Sequence, residues 1–345
     1  MKVTIIVPVF NAEKYLARCL DSLLCQTHNE IEIICINDGS TDNSGVILKD
    51  YEKKDSRIKI YTQNNGGRSS ARNLGLEHVR TEWFMFVDAD DEIYPEAVSK
   101  LLESSSDAVS AVVSSLTVKH EVFKEKAIED NNYYKIKEDK ERTIGPCDLF
   151  SFHASVCGIL FRKSRVVEFK LRFPEGLNYE DVYWHWCYFS TPSTVSFMTT
   201  PTYIYTRHNH SIMTSTFAKE EGISPDHLKI VERIFSYYKN SNIFEPSASY
   251  TRDLLETYFF LAKEHATVTD QFLIYYLIRR ILREYKIIFS DRPVLLQILE
   301  VKPSLEQGTD IDKFRYLTSF LTIAEKVFPK GSKRRCILKK IVFKK

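Results

Sequence analysis

Apolar residues in the first hundred positions fall into two alternating patterns, which predict strands and helices in turn. The runs Val3–Val9 and Ile31–Ile36 are almost wholly apolar, as in parallel strands that are covered on both faces. Between them, leucines recur at helical spacing from Leu16 to Leu24, and Asn11 is expected to cap this helix. Strand and helix in alternation predict an α/β fold with a doubly wound, mainly parallel sheet.

The alternation continues and then changes in the last third of the chain. The further predicted elements are a strand at 57–61, a helix at 69–79, strands at 83–87 and 108–118, a polar insertion at 119–145, and late strands at 195–197 and 202–205. From about residue 219 the apolar spacing is helical. We therefore expect an α/β domain at 1–215, with halves at 1–115 and 116–215, and a C-terminal helical region at 216–345.

Charge is distributed unevenly along the chain. Nine basic residues and no acidic one lie between Lys326 and Lys345, so the rest of the chain carries about −7 of the overall +2. Because nucleic-acid-binding proteins spread basic groups over their body, we expect no nucleic-acid partner. The tail at 330–345 mixes apolar and basic residues. This pattern fits attachment to an anionic membrane surface as well as it fits a solvated terminus.

Cysteine usage and hydropathy indicate the compartment. The seven cysteines form no Cys-x-x-Cys pair, which is typical of reduced thiols in a cytoplasmic protein. The chain begins with a predicted strand rather than a signal peptide, and the apolar stretch near 270–289 contains three arginines. We expect a cytoplasmic protein without a membrane span, attached peripherally to the inner face of the plasma membrane if the tail binds it.

Polar clusters follow three of the predicted strands, at the ends where doubly wound sheets bind ligands. They are Asn37–Asp42, Asn64–Asn73 and Asp88–Asp91. Each alone is also ordinary turn or capping chemistry. Together they indicate more, because Asp88 and Asp90 place two carboxylates within reach of one Mn²⁺ or Mg²⁺, which takes such ligands along with substrate phosphates. The combination predicts a site for a metal ion and a diphosphate.

Two further residues of these clusters are candidates for binding a nucleotide. The carboxylate of Asp38 is suited to accept a hydrogen bond from the N–H of a uracil ring. Arg72, one turn into the helix after the Gly-Gly loop, is suited to approach the base or the phosphates.

Four motifs, in the same order and at the same strand ends, resemble family 2 of the glycosyltransferases, which are inverting enzymes with the Rossmann-like GT-A fold. They are Ile6–Asn11, Asn37–Asp42, Ala71–Gly75 and Phe86–Asp91. The resemblance implies the GT-A fold and transfer of a sugar from a nucleoside-diphosphate donor.

The resemblance also implies roles for individual residues. The backbone at Pro8–Phe10, with Asp38, would hold the nucleoside; Asp88 would contact the ribose or the metal; and Asp90 would ligate the metal. The nucleotide-sugar site predicted in this way comprises Pro8, Val9, Phe10, Asn11, Asp38, Gly67, Arg72, Asp88, Ala89 and Arg207.

Asn178–Asp181 resembles a second family motif, at the start of a predicted helix. In relatives the Asp of the Glu-Asp pair acts as catalytic base, which implies this role for Asp181, with Glu180 beside it. An acceptor hydroxyl needs such a group, because a carboxylate must take its proton as it attacks. The alternative is that both acidic residues only favour the helix N-terminus through its dipole. The upstream motifs favour the catalytic interpretation.

Residues 205–212 resemble a third and looser motif. Arg207 is suited to pair with phosphate oxygens. Either His208 or His210 is suited to complete the metal shell, since imidazole tolerates manganese, and the sequence does not choose between them. Arg68 departs from the uncharged residue that is usual in relatives.

These residues predict transfer of a single sugar from a UDP-sugar to a glycan or lipid-linked glycan. Processive synthases of the family carry a Gln-x-x-Arg-Trp motif and membrane spans, and the sequence has neither. A sugar-phosphate nucleotidyltransferase needs a basic, Gly-rich loop after the first strand, and a Rossmann dehydrogenase needs Gly-x-Gly-x-x-Gly there; this chain has Pro8–Asn11. A non-catalytic module that binds nucleotide sugars would lack a metal carboxylate or a base, whereas Asp90 and Asp181 are both present.

Overall fold

The computed structural model of the chain describes residues 1–121, 128–129, 136–151, 155–208, 222–245 and 248–287. The chain forms two compact units, Met1–Ala218 with Lys229–Phe244, and Lys219–Leu228 with Glu245–Lys345. The domain boundary expected at residue 215 stays a prediction.

A ten-stranded sheet is the framework of the first unit. Its strands are β1 (Val3–Val9), β2 (Ile31–Asp38), β3 (Ile58–Gln63), β4 (Trp83–Phe86), β5 (Glu92–Ile93), β6 (Ala111–His120), β7 (Ile128–Glu129), β8 (Lys140–Ile144), β9 (Ile159–Arg162) and β10 (Ser193–Arg207). Their spatial order is β3-β2-β1-β4-β9-β6-β10-β5, while β7 pairs with β6 and β8 with β10. The strands β1 to β4 are parallel, as predicted. Beyond them the sheet is mixed, because β9 runs antiparallel to both β4 and β6.

Helices follow most of the strands. They are α1 (Leu16–Leu24), α2 (Ser44–Lys54), α3 (Gly67–His78), α4 (Ala97–Glu103), α5 (Lys163–Glu168), α6 (Glu180–Tyr188), α7 (Asp226–Asn240), α8 (Ser249–His265) and α9 (Val268–Glu284), with a 3₁₀ helix at Pro146–Ser151. In the second unit, α9 begins with a capping box between Thr267 and Asp270. In the part of the chain that the structure describes, the helices are too short or too polar to cross a bilayer.

The apolar runs form strands because both of their faces are covered. Every residue of β1 is buried, and α3 packs directly against it. Gly75 allows this close approach, since a Cβ at this position would lie 2.4 Å from Cγ2 of Ile6. A larger side chain would overpack this contact, so the glycine fixes α3 and the loop before it close to the centre of the sheet.

Three local predictions differ from the structure. The polar insertion expected at 119–145 contains β8, which pairs with β10; most of its residues are exposed or half-buried, so it lacks an apolar pattern. The two late strands are one continuous strand with an irregular register near Pro201. Asn11 does not cap α1, because its backbone has a φ of 48° and its side chain binds Thr41 instead.

Candidate active site

The loops after β1 and β2 lie against each other at the carboxyl edge of the sheet. Asn11 Oδ1 accepts a hydrogen bond from Thr41 N at 2.8 Å, and Asn11 N donates to Ser40 Oγ at 3.2 Å. Phe10, at the end of β1, keeps 47% of its surface exposed. This edge therefore offers an aromatic face beside two loops that are fixed to each other.

Asp38 is buried, and its carboxylate organises the glycine loop after β3. Oδ1 accepts hydrogen bonds from Gln63 Nε2 at 2.7 Å and Gly66 N at 2.8 Å, while Oδ2 accepts from Gly67 N at 2.9 Å. Gly67 has a φ of +82°, a conformation that favours glycine. Contact of Asp38 with a uracil stays a prediction. The hydrogen bonds from Gly66 and Gly67 to Asp38 were not predicted from the sequence.

Arg72 joins the end of β4 to the start of α6. Nη2 donates to Asp88 Oδ1 and Nη1 donates to Glu180 Oε1, each at 2.7 Å. Burial alone would raise the pKa of Asp88, but the guanidinium groups of Arg72 and Arg68 hold this pKa below its ordinary value. One side chain therefore links the carboxylate predicted for the donor side to the helix that carries the predicted base.

Aromatic rings enclose the Arg72 guanidinium. Its Cζ lies 5.4 Å from the ring centroid of Phe173 and 5.9 Å from that of Phe86, and Trp184 stacks on Phe173. The low polarity of such surroundings strengthens the ion pairs. The observed polar partners of the enclosed guanidinium are the carboxylates of Asp88 and Glu180. Direct contact of Arg72 with a base or a phosphate stays a prediction.

Asp181 lies in the first turn of α6, directly after Glu180. The preceding residue, Tyr179, has a φ of 65°, which is uncommon outside glycine. Oδ1 of Asp181 accepts from Val182 N at 2.9 Å, and the side chain stays partly exposed. Burial, and after it the neighbouring Glu180, raise the pKa of Asp181 to about 7, a value suited to a general base.

Glu180 binds two arginine side chains in this structure. It is almost wholly buried and binds Arg72, and Nη2 of Arg68 approaches its Oε1 at 3.4 Å. The arginine that departs from the family pattern is thus part of the same charge network. A direct catalytic role for Glu180 stays a prediction.

Asp90 and His208 meet although they are far apart in sequence. Asp90 Oδ2 lies 2.7 Å from His208 Nε2, and the ring of Tyr15 stacks on the imidazole with centroids 4.8 Å apart. Of the two histidines that the sequence left open, His208 therefore adjoins the predicted metal carboxylate. His210 lies outside the described residues.

The Asp90–His208 pair fits Mn²⁺ or Mg²⁺ by its donor chemistry. One carboxylate oxygen and one imidazole nitrogen lie 2.7 Å apart in a direct hydrogen bond, which a bound cation would replace. Carboxylate oxygen is the donor that both cations prefer, and the imidazole favours Mn²⁺ over Mg²⁺. Among the described residues, ligand atoms of Asp88, Asp91 and Cys157 also lie within 4.8 Å of one another. That second group fits less well, because Asp88 already binds Arg72 and burial raises the pKa of the Cys157 thiol well above its ordinary value.

Asp91 is a further residue whose role sequence reasoning missed. Its buried carboxylate accepts hydrogen bonds from Tyr203 Oη and Thr206 N, each at 2.7 Å. The same Tyr203 hydroxyl accepts from Asp88 N at 3.1 Å. Asp91 thus ties the acidic loop after β4 to β10. The repeated aspartates were a usable signal, whereas Tyr203 resembles any aromatic residue of a strand.

The structure shows where the other predicted site residues lie but does not test their roles. Pro8 and Val9 are buried in β1, and Ala89 is buried in the acidic loop. Arg207 is exposed at the end of β10, with its Cζ 6.0 Å from the ring centroid of Tyr205. Their contacts with a nucleotide sugar stay predictions.

Comparison with known proteins identifies the family of the part of the chain that carries this site. Residues 4–165, which include Asp38, Arg72 and the acidic loop, match the model of Glycosyl transferase family 2. Residues 4–165 form a glycosyl transferase family 2 domain. Glycosyltransferase GlyA of Streptococcus pneumoniae is 38% identical over 190 residues, covering 53% of this chain and 27% of GlyA. EpsH of Bacillus subtilis is 33% identical over 218 residues, covering 61% of this chain and 62% of EpsH.

The fold of this domain has a solved counterpart. S. aureus TarS 1–349 in complex with UDP-GlcNAc superimposes with a TM-score of 0.71 at 19% identity, covering 94% of this chain and 92% of that one. The predicted GT-A fold is confirmed by this likeness. The chain spans less than two thirds of the length of GlyA and of EpsH.

Proposed function

We propose that this protein transfers one sugar from a UDP-sugar to a hydroxyl of a glycan or lipid-linked glycan, with inversion at the anomeric carbon. The family 2 domain supports sugar transfer, and the UDP-GlcNAc bound by TarS supports the choice of donor. The single observation that carries the proposal is the Asp88–Arg72–Glu180 bridge. It links the acidic loop, suited to the donor diphosphate, to the helix that presents Asp181.

In the proposed reaction, Asp181 takes the proton of the acceptor hydroxyl. The acceptor oxygen forms a bond to the anomeric carbon while the bond from that carbon to the β-phosphate oxygen breaks, and UDP leaves with the electron pair. The raised pKa of Asp181 suits this step, because a base is most effective when its pKa is near the working pH. One displacement of this kind inverts the anomeric configuration.

The residues proposed for the donor act by binding and orientation. Asp90 and His208 would hold a manganese or magnesium ion, which, when bound, neutralises the charge that develops on the leaving diphosphate. Asp38 would keep the glycine loop in shape beside the nucleoside, and Arg207 would pair with the phosphates. Attachment of the tail at 330–345 to the inner face of the plasma membrane also stays a proposal; liposome sedimentation with and without that segment tests it.

The experiment is release of UDP from a panel of UDP-sugars, with lipid-linked glycans as acceptors and Mn²⁺ or EDTA. We expect release with Mn²⁺, its loss in the Asp181→Asn variant, and its retention in the matched variant Asp107→Asn, since Asp107 is exposed and precedes β6, at the edge of the sheet opposite the site. UDP binding without release would favour a binding module. Pyrophosphate release from UTP and a sugar 1-phosphate would favour a nucleotidyltransferase.

A further inference from the structure

The start of α1 lies against the Asp90–His208 pair through two side chains. Tyr15 directly precedes the helix and Arg18 lies one turn later, so the two share a face of α1. Neither belongs to the motifs that predicted the site.

Tyr15 supports the histidine directly. Its ring and the His208 imidazole are nearly parallel, with an angle of 18° and centroids 4.8 Å apart. A ring stacked in this way limits rotation of the imidazole about its own bond to the chain. The nitrogen that faces Asp90 is thereby kept in one direction.

Arg18 contacts the chain on both sides of the pair. Nη2 donates to the carbonyl oxygen of Asp90 at 3.3 Å and to Thr206 Oγ1, two residues before His208, at 3.4 Å. The rest of the guanidinium is held by carboxylates: Nε lies 2.9 Å from Glu92 Oε1, and Nη1 binds Glu121. One side chain therefore connects α1 to the acidic loop and to the end of β10.

We propose that Tyr15 and Arg18 are positioning residues that hold Asp90 and His208 side by side, so that both can ligate one divalent cation. The proposal rests on the proposed function in that this pair is the metal site. The two carboxylates that bind Arg18 share a second cation, Lys119, which lies 2.8 Å from Glu92 and 3.9 Å from Glu121. Loss of Arg18 would therefore leave each carboxylate a cation, whereas the Asp90 carbonyl and Thr206 Oγ1 would lose the Arg18 donor.

The chain offers a matched control in Arg57. Arg18 and Arg57 have similar side-chain exposure, 30% and 23%. Each pairs with a carboxylate and donates to a backbone carbonyl, which for Arg57 is that of Leu24 at 3.0 Å, at the far end of α1. Arg57→Met thus removes the same kinds of contact away from the pair.

The test is titration of Mn²⁺ into the protein with saturating UDP, with free Mn²⁺ followed by electron paramagnetic resonance. We expect Tyr15→Leu and Arg18→Met to weaken Mn²⁺ binding roughly tenfold, as loss of residues that orient metal ligands does. Tyr15→Phe, which keeps the ring, and Arg57→Met should bind Mn²⁺ like the wild type. Affinity for UDP in EDTA, measured by calorimetry, should not change in any of them.

The outcomes separate this proposal from the proposed function. If His208→Ala binds Mn²⁺ as well as the wild type, the metal site itself is misassigned and both fail. If His208→Ala loses Mn²⁺ while Tyr15→Leu and Arg18→Met match Arg57→Met, only the positioning role is overturned. Should Arg18→Met not fold, Arg18→Lys keeps a charge for Glu92 but loses the forked donor, and the same tenfold criterion applies.

Discussion

Arg72 donates a 2.7 Å hydrogen bond to Glu180, and both side chains are almost wholly buried, at 2% and 4% exposure. The other arm of the same guanidinium binds Asp88. A buried cation with two anions is stable only as a set, since each member loses its water and relies on the others. This set therefore fixes α6 relative to the end of β4.

Replacing Arg72 with methionine should destabilise the fold strongly. Glu180 would keep its buried charge, and Asp88 its half-buried charge, without Arg72; breaking a buried pair such as Arg72–Glu180 costs about 3–5 kcal/mol. The free energy of unfolding in urea measures the effect. Arg57→Met, which breaks a half-buried pair with Asp55 that keeps contact with water, should cost less, about 1 kcal/mol. Equal losses in the two variants would contradict the structural role of the Arg72 set.

The pH dependence of transfer should report on Asp181. Because only its ionised form accepts a proton and its pKa is raised to about 7, kcat/KM should fall as pH drops through that value, about tenfold per unit. A profile that stays flat down to about pH 5 would show that another group, or a less perturbed Asp181, is the base.

The same carboxyl should make the fold less stable at alkaline pH. The pKa of Asp181 is raised in the folded chain to about 7 from an ordinary 3.8. Between these values the folded state binds a proton that the unfolded state has released, so the free energy of unfolding falls as pH rises through this window. Asp181→Asn removes this loss, and at pH 8 it should be more stable than the wild type while inactive. Urea unfolding of the wild type at pH 5 and pH 8 checks the direction of the pH effect, and the same measurement on Asp181→Asn at pH 8 checks the effect of the substitution. An Asp181→Asn variant less stable than the wild type at pH 8 would contradict the burial of the charge.

Replacing Asp38 with asparagine should weaken the binding of every nucleotide. Its carboxylate holds Gly66 and Gly67, and loss of hydrogen bonds to a charged acceptor should lower the free energy of unfolding by about 2–3 kcal/mol. Calorimetric titration with UDP and with CDP separates the effect of Asp38 on the glycine loop from its effect on the uracil base. We expect affinity for both to fall, because both need the loop, and any larger fall for UDP measures the predicted contact with the uracil. A fall for UDP alone, with unchanged stability, would mean that Asp38 acts only on the uracil.

The Mn²⁺ requirement should follow Asp90 and not Cys157. Asp90→Asn weakens an oxygen ligand, so it should raise the Mn²⁺ concentration needed for half-maximal UDP release about tenfold or more. Cys157→Ser changes the second group of potential ligands, Asp88, Asp91 and Cys157, and should leave that concentration unchanged. The opposite result would move the metal to the second group.

The sequence predicted the parallel half of the fold well because its signals are local. The apolar run of β1 and the leucine spacing of α1 each report their own burial. β8 was missed because an exposed strand has no apolar pattern, and its pairing with β10 is a long-range property. Tertiary contacts of this kind are not visible in the spacing of residues.

The residues of the candidate site also fall into those that the sequence predicts and those that only tertiary contacts show. Asp90 and Asp181 were found because they belong to motifs that resemble a family. The partners that orient them were not, since Tyr15, Arg18 and Tyr203 look like ordinary helix or strand residues until distant segments meet. Arg72 shows the limit most clearly: a cation near a predicted phosphate site suggests an anionic ligand, yet its observed partners are two carboxylates of the chain itself.

The most direct test of the account is a crystal structure with Mn²⁺ and an unreactive UDP-sugar analogue, with the ion located by its anomalous scattering. We expect one ion bound by Asp90 and facing His208, in contact with the diphosphate, and an anomeric carbon with room for one acceptor oxygen between it and Asp181. An ion among Asp88, Asp91 and Cys157, or an anomeric carbon that faces a different cavity from Asp181, would contradict it.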